Sequence, residues 1–164
     1  MKRTDWVINW NEYFMGIALL SAQRSKDPRT QTWCCLVNPK QRIVWIWYNW
    51  FPKWCDDDLF PWWKSKDPLD DKNSYVVHAE INAILNSTQP LDDCTMFVTL
   101  HPCDKCFQAV IQSWIKRVIY LADRELPFVS VVQKMAASSW VELIKMNPLK
   151  PKIELDFEEN SKTR

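Results

Sequence analysis

Residues 95–121 read TMFVTLHPCDKCFQAVIQSWIKRVIYL. Two β-rich runs, 95–100 and 117–121, flank a segment in which Phe107, Val110 and Ile111 recur at helical spacing. Pro102 suits a first helical residue, so a helix is predicted over 102–113. Strand, helix and strand in that order predict two parallel strands joined by a right-handed crossover. Cys103 and Cys106, three apart at the start of the helix, aim both sulfurs the same way. The helix N-terminus and a metal each favour thiolate over thiol there.

The same alternation continues on both sides. Upstream, 78–87 (HAEINAILNS) forms a helix whose apolar contacts come from Ala79, Ile81, Ala83, Ile84 and Leu85, and Gln89-Pro90 closes it. Downstream, 128–138 is a helix with Val129, Val132, Met135 and Ala136 inward, and 141–145 (VELIK) is a last strand. Nearer the start, 32–37 and 42–48 are β-rich runs separated by four turn residues, which predicts a hairpin. Cys34 and Cys35 are adjacent in the first of these strands, so they point to opposite faces as small core residues. Asn9 with Glu12 reads as a capping box for a helix over roughly 10–24, with Trp10, Phe14, Ile17, Ala18 and Ser21 on one face. That helix stops before Asp27-Pro28.

Between the hairpin and the second helix, 49–74 has no sustained period. Three prolines and the aromatics Phe60, Trp62 and Trp63 predict an ordered lid or wall. Together these elements predict an α/β chain: a three-layer α/β/α sandwich around one mixed five-stranded sheet. One domain is expected over 1–164, with 149–164 as a charged strap or tail.

Composition narrows the function. The 164 residues carry 21 Lys and Arg against 20 Asp and Glu, for a net charge of +1. A protein built to hold a polynucleotide usually shows a basic excess or stripe, so a small substrate is expected. No apolar run approaches the roughly 18 residues of a membrane span. The N-terminal MKRTDW has no apolar stretch behind it, which with six cysteines read as reduced thiols predicts a cytoplasmic protein. Glycine is almost missing: Gly16 stands alone, while tryptophan rises to 11. Turns that need positive φ therefore have almost no glycine to supply it.

One imidazole and two thiolates make a zinc ligand set with one tetrahedral position open, so His78, Cys103 and Cys106 are the expected metal ligands. A lone C-x-x-C reads as well as a redox pair or a structural half-site; the upstream His-x-Glu selects catalytic zinc. Zinc lowers the pKa of its water towards about 7, and Glu80 can take that water's proton and deliver it to a ring nitrogen and a departing amine. A fourth protein ligand would close the site, so His101 reads as wall or structure. His-x-Glu followed by Pro-Cys-x-x-Cys is the signature of zinc deaminases.

Further stretches carry a closer likeness. SAQRSKDP (21–28), Gln31, the strands ending in Tyr48-Asn49, Phe51-Pro52, Cys55-Asp56-Asp57, Pro61-Trp62 and IQSWIKRVIY (111–120) resemble the deoxycytidylate (dCMP) deaminase family over roughly 8–157. The resemblance implies a cytidine-deaminase-like fold and zinc-dependent hydrolysis of dCMP to dUMP and ammonia, feeding thymidylate synthesis. It also implies a homohexamer activated by dCTP and inhibited by dTTP. By position it makes Glu80 the proton shuttle, sets Asn49 against the sugar and brings the backbone at Ala79 near the base. Arg24 and Ser25 are the candidates for the phosphate, although Arg24-Ser25-Lys26 reads equally as a solvated helix end. Trp33, Trp45, Trp47, Trp50, Trp54, Trp114 and Trp140, with Trp63 a further case, stand where the family implies glycine. Those indoles predict overpacking, reduced activity and weak or absent nucleotide regulation. The competing readings are a non-catalytic zinc-stabilised fold and a polynucleotide cytidine or adenosine deaminase.

Overall fold

A computed structural model describes residues 7–125 and 127–155. Its elements are α1 (Trp10–Ala22), β1 (Trp33–Val37), β2 (Ile43–Tyr48), α2 (Ala79–Asn86), β3 (Thr95–Leu100), α3 (Asp104–Gln112), β4 (Arg117–Ala122), α4 (Phe128–Ala137) and β5 (Glu142–Lys145). They form one sheet in the order β2-β1-β3-β4-β5. β1 pairs antiparallel with both β2 and β3, while β3, β4 and β5 run parallel. The mixed five-stranded sheet expected from the alternation is present, and the hairpin register slips once, between Leu36 and Val37.

Alternating side chains divide the core in two. Cys34, Leu36, Met96, Val98 and Val118 pack beneath α2, α3 and α4 through Ala83, Phe107, Val110 and Val132. Cys35, Phe97 and Ile119 face the other way, onto Phe14, Met15 and Ala18 of α1. The adjacent cysteines therefore do serve opposite cores, and helices cover both faces. Of the four residues expected inward on α4, Val132 is buried and Val129, Met135 and Ala136 are half-buried.

Helix starts are tighter than the sequence predicts, for reasons visible in their caps. α3 begins at Asp104, not Pro102, because Cys103 is the N-cap and its sulfur accepts from the Cys106 N–H at 3.5 Å. His78 likewise caps α2 rather than belonging to it. α1 ends at Ala22, short of 24. Its capping box is formed: Asn9 Oδ1 accepts from the Glu12 N–H at 2.9 Å, and Glu12 Oε2 accepts from the Asn9 N–H at 3.0 Å. The second Glu12 oxygen accepts from the Lys150 N–H at 2.7 Å, laying the chain after β5 against α1. Residues 156–164 of the expected strap lie outside the described residues.

The segment joining β2 to α2 is an ordered wall. Trp50 and Val77 form a two-way backbone bridge, and Lys72 N–H donates to the Trp63 carbonyl. Phe51 packs on Trp62 with ring centres 4.4 Å apart, and Phe60 packs on Tyr75 at 4.9 Å. The expected backbone strain at tryptophan is confined to Trp54 and Trp114, with φ of 71° and 59°. Trp114 recovers a stacked contact with Trp140, 5.2 Å away, whereas Trp54 is fully exposed. Trp33 is fully buried, and neither its indole N–H nor that of Trp45 finds an acceptor among the described residues. No described helix is long and apolar enough to cross a membrane.

Candidate active site

The N-termini of α2 and α3 lie side by side and bring three donor atoms together. His78 Nδ1 stands 3.5 Å from Cys103 Sγ and 3.3 Å from Cys106 Sγ. All three donors lie within 4.8 Å of one another. A tetrahedral zinc, with sulfur at about 2.3 Å and nitrogen at about 2.0 Å, holds a nitrogen and a sulfur donor about 3.5 Å apart, so both His78–cysteine distances suit the ion. The charges fit as well. Hydrogen bonding from the Cys106 thiol, with help from His78, pulls Cys103 down to about 3. Cys106 is pushed far up, because its proton is shared with Cys103 and its site is buried. His78 is raised by its bond to Cys103. A cation that replaced those shared protons would charge both sulfurs at once.

Glu80 sits in the first turn of α2, fully buried, with neither carboxylate oxygen bonded to any group among the described residues. Burial raises its pKa, and His78 opposes part of the rise. A buried, unpartnered carboxylate is costly, and such groups mark places where a ligand or a proton is expected. His101 is different. It is fully buried, donates from Nδ1 to the Pro102 carbonyl at 2.9 Å, rests edge-on against Tyr120, and stands outside the donor cluster.

A cavity of about 110 Å³ opens between His78, Ala79 and Glu80 on one wall and Asp27, Asn49 and Lys72 on the other. No described tryptophan lines it. Trp47 stacks on Trp45, and Trp50 lies under the Lys26 ammonium and against Trp62, so the indoles flanking Asn49 point elsewhere. Asn49 is buried and bonded on every side. Its Oδ1 accepts from the Thr32 N–H and the Ser25 hydroxyl, each at 3.1 Å. Its Nδ2 donates to Asp27 Oδ2 and the Thr30 carbonyl, each at 3.0 Å. Ser25 therefore supports Asn49 from behind. Arg24 is exposed and does not line the cavity, and Lys26 pairs with Asp57 at 2.6 Å.

Two cations, Lys64 and Arg124, line the cavity in addition to Lys72. Arg124 is anchored through Nε to the His101 carbonyl at 3.0 Å. The sequence reading missed both, and also missed Asp27 and Lys72. Asp27 was legible only as a helix stop before proline, and no local pattern pairs it with a lysine 45 positions away.

The sequence profile described as "Cytidine and deoxycytidylate deaminase zinc-binding region" matches residues 8–122. A probable deoxycytidylate deaminase of Drosophila melanogaster is 45% identical over 166 residues, spanning 96% of this chain and 81% of the relative. The deoxycytidylate deaminase of Homo sapiens is 40% identical over 161 residues, spanning 96% and 90%. Among solved structures, the dCMP deaminase of cyanophage S-TIM5 in complex with dCMP and dUMP superposes with a TM-score of 0.65 at 25% identity, covering 89% of this chain and 99% of that one.

Proposed function

The chain belongs to the cytidine and deoxycytidylate deaminase family, and we propose that it hydrolyses dCMP to dUMP and ammonia with zinc held by His78, Cys103 and Cys106. The observation that carries this reading is Glu80, a fully buried carboxylate with both oxygens unpartnered beside a donor set of zinc dimensions. Zinc, when bound, makes a water acidic enough to attack at neutral pH.

The protein's own groups do the rest. Glu80 takes a proton from the attacking water on one carboxylate oxygen, gives it to the ring nitrogen of cytosine, and then serves the amine that departs from carbon 4. Its raised pKa suits both directions of that traffic. The backbone at Ala79 borders the base, Asn49 meets the sugar from the opposite wall, and Lys64 and Arg124 supply positive charge for the 5′-phosphate. Ser25 acts by holding Asn49, and the exposed Arg24 is expected to matter less than Arg124.

Supply of dUMP for thymidylate synthesis, hexameric assembly, weak or absent regulation by the family-type effectors dCTP and dTTP, and cytoplasmic residence extend the reading. Reduced turnover belongs to it too, acting through strain at Trp54 and Trp114, since no described tryptophan lines the cavity. A polynucleotide substrate fits poorly with a small cavity and a net charge of +1. Ammonia release from dCMP, deoxycytidine and single-stranded DNA, with zinc measured on the same sample, tests all of this. Zinc-loaded protein that releases ammonia from none of the three would leave a non-catalytic zinc-stabilised fold.

A further inference from the structure

We propose that the buried Asp27–Lys72 ion pair is a positioning device that sets the amide orientation of Asn49, and through it the preference of the cavity for a substrate bearing a sugar hydroxyl. The inference rests on the reading of deoxycytidylate as substrate. Lys72 Nζ lies 2.8 and 2.7 Å from the two Asp27 oxygens, and both side chains are almost wholly buried. Asp27 also accepts the N–H groups of Arg29 and Thr30 at 2.9 and 3.1 Å, so its carboxylate is fixed in place from two directions.

That carboxylate decides which end of the Asn49 amide faces it. An ionised carboxylate only accepts hydrogen bonds, so the amide must turn its NH₂ towards Asp27 Oδ2. The second amide hydrogen goes to the Thr30 carbonyl, another pure acceptor. Both hydrogens are then engaged, so Oδ1, which accepts from Thr32 and Ser25, is the one atom of the amide that can serve a ligand. The Ser25 hydroxyl reaches both Oδ1 at 3.1 Å and the Asn49 carbonyl at 3.4 Å, so it can swing to the carbonyl and leave Oδ1 a lone pair. What Oδ1 can select is a donor. In a pyrimidine nucleotide whose base lies against Ala79 and Glu80, the donor on the far side is a ribose-ring hydroxyl, not a phosphate.

Lys72 makes this arrangement stable. Without the ammonium, Asp27 is a buried carboxylate that has lost the partner on both its oxygens, and nothing fixes the orientation by which it dictates the amide. The lysine is held by its backbone, with its N–H on the Trp63 carbonyl and its own carbonyl accepting from Tyr75 and Val76. The same stretch runs directly into the Val77–Trp50 bridge and His78, so one ion pair aligns the sugar wall with the metal wall.

The test compares dCMP with 2′,3′-dideoxycytidine 5′-monophosphate, which lacks the hydroxyl, in the zinc-loaded full chain. Lys72→Met is expected to lower kcat/KM for dCMP by about 10- to 100-fold, mostly through KM, while the dideoxy analogue changes by less than about twofold. Lys72→Arg, which keeps the cation, is expected to recover most of the loss. Should Lys72→Met fail to fold, Asp27→Asn/Lys72→Met leaves no unpaired buried charge and gives the same comparison. An equal loss on both nucleotides, a loss confined to kcat, or no loss on dCMP overturns the inference. Wild-type protein that deaminates neither nucleotide overturns the functional reading itself.

Discussion

The two walls of one cavity are built on opposite principles. The metal wall comes from pieces only a few residues long, His78 with Glu80 and Cys103 with Cys106, each at a helix start. Its polar groups are left wanting: both Glu80 oxygens lack partners among the described residues, and the two sulfurs crowd one imidazole. The wall proposed to meet the sugar is assembled from Asp27, Asn49 and Lys72, joined across 22 and 45 positions, and its carboxylate, amide and ammonium are bonded to one another. The contrast has a chemical reason. Groups that must exchange protons or hold an ion have to stay under-satisfied until the ligand arrives. Groups that must present one fixed orientation need all their partners beforehand.

The largest effects should separate the walls by activity. Glu80→Gln is expected to lower kcat by about 10²- to 10⁴-fold with zinc content unchanged. A variant that loses zinc along with activity would show instead that Glu80 holds the ligand set together. Removing the metal with a chelator should abolish ammonia release, and restoring zinc should return it; full activity in metal-free protein would end the zinc reading.

Stability should separate them in the opposite sense. Lys72→Ala strands a buried carboxylate and is expected to cost about 3–5 kcal/mol in chemical unfolding. Glu80→Gln should not lower Tm, because neither oxygen has a bond in the chain to lose. Equal destabilisation by the two variants would erase the distinction between an open wall and a closed one.

A smaller effect tests the loop that carries the sugar wall. Trp54 is exposed at φ 71° and has no compensating contact, so Trp54→Gly should stabilise by about 1 kcal/mol. For a chain of this length that corresponds to a rise in Tm of about 2–4 °C. Trp114→Gly relieves the same strain but loses the stack on Trp140, and should gain less. If Trp54→Gly also raises kcat/KM for dCMP, loop strain reaches the cavity; a change in Tm alone confines it to the loop.

The smallest effect is at the start of α1, where a local and a distant partner share one carboxylate. The N–H groups of Asn9 and Lys150 hold Glu12 below its usual range. Above about pH 4.5 the carboxylate is ionised in folded and unfolded chains alike, and its stabilisation is complete. As pH falls further the unfolded chain takes up the proton first, and the contribution fades through the lowered folded value. Glu12→Gln should flatten that part of the acid limb of a Tm-versus-pH curve; an unchanged limb would show that the cap is not coupled to folding.

How much of this was legible follows the same divide. The alternating strands and helices predicted the mixed sheet and both of its covered faces, because side-chain periodicity is local. The clustering of His78, Cys103 and Cys106 was legible because a donor set on two helix starts needs fixed residue types at fixed short spacings. The true start of α3 was not, since it depended on the Cys103 sulfur acting as a cap. Nor was the fate of the tryptophans: seven were expected to crowd backbone, but extended strands accept an indole, and only Trp54 and Trp114 meet positive φ.

By itself, then, the sequence determined the layered α/β fold, the donor cluster at two helix starts and the family. Tertiary structure alone decided which side of Asn49 faces the cavity, which lysine lies buried on Asp27, and which cations, Lys64 and Arg124, stand over the site. The reason is range. A helix start places its own side chains within a few residues, whereas an amide held by a carboxylate and an ammonium from distant segments has no orientation until the whole chain has folded around it.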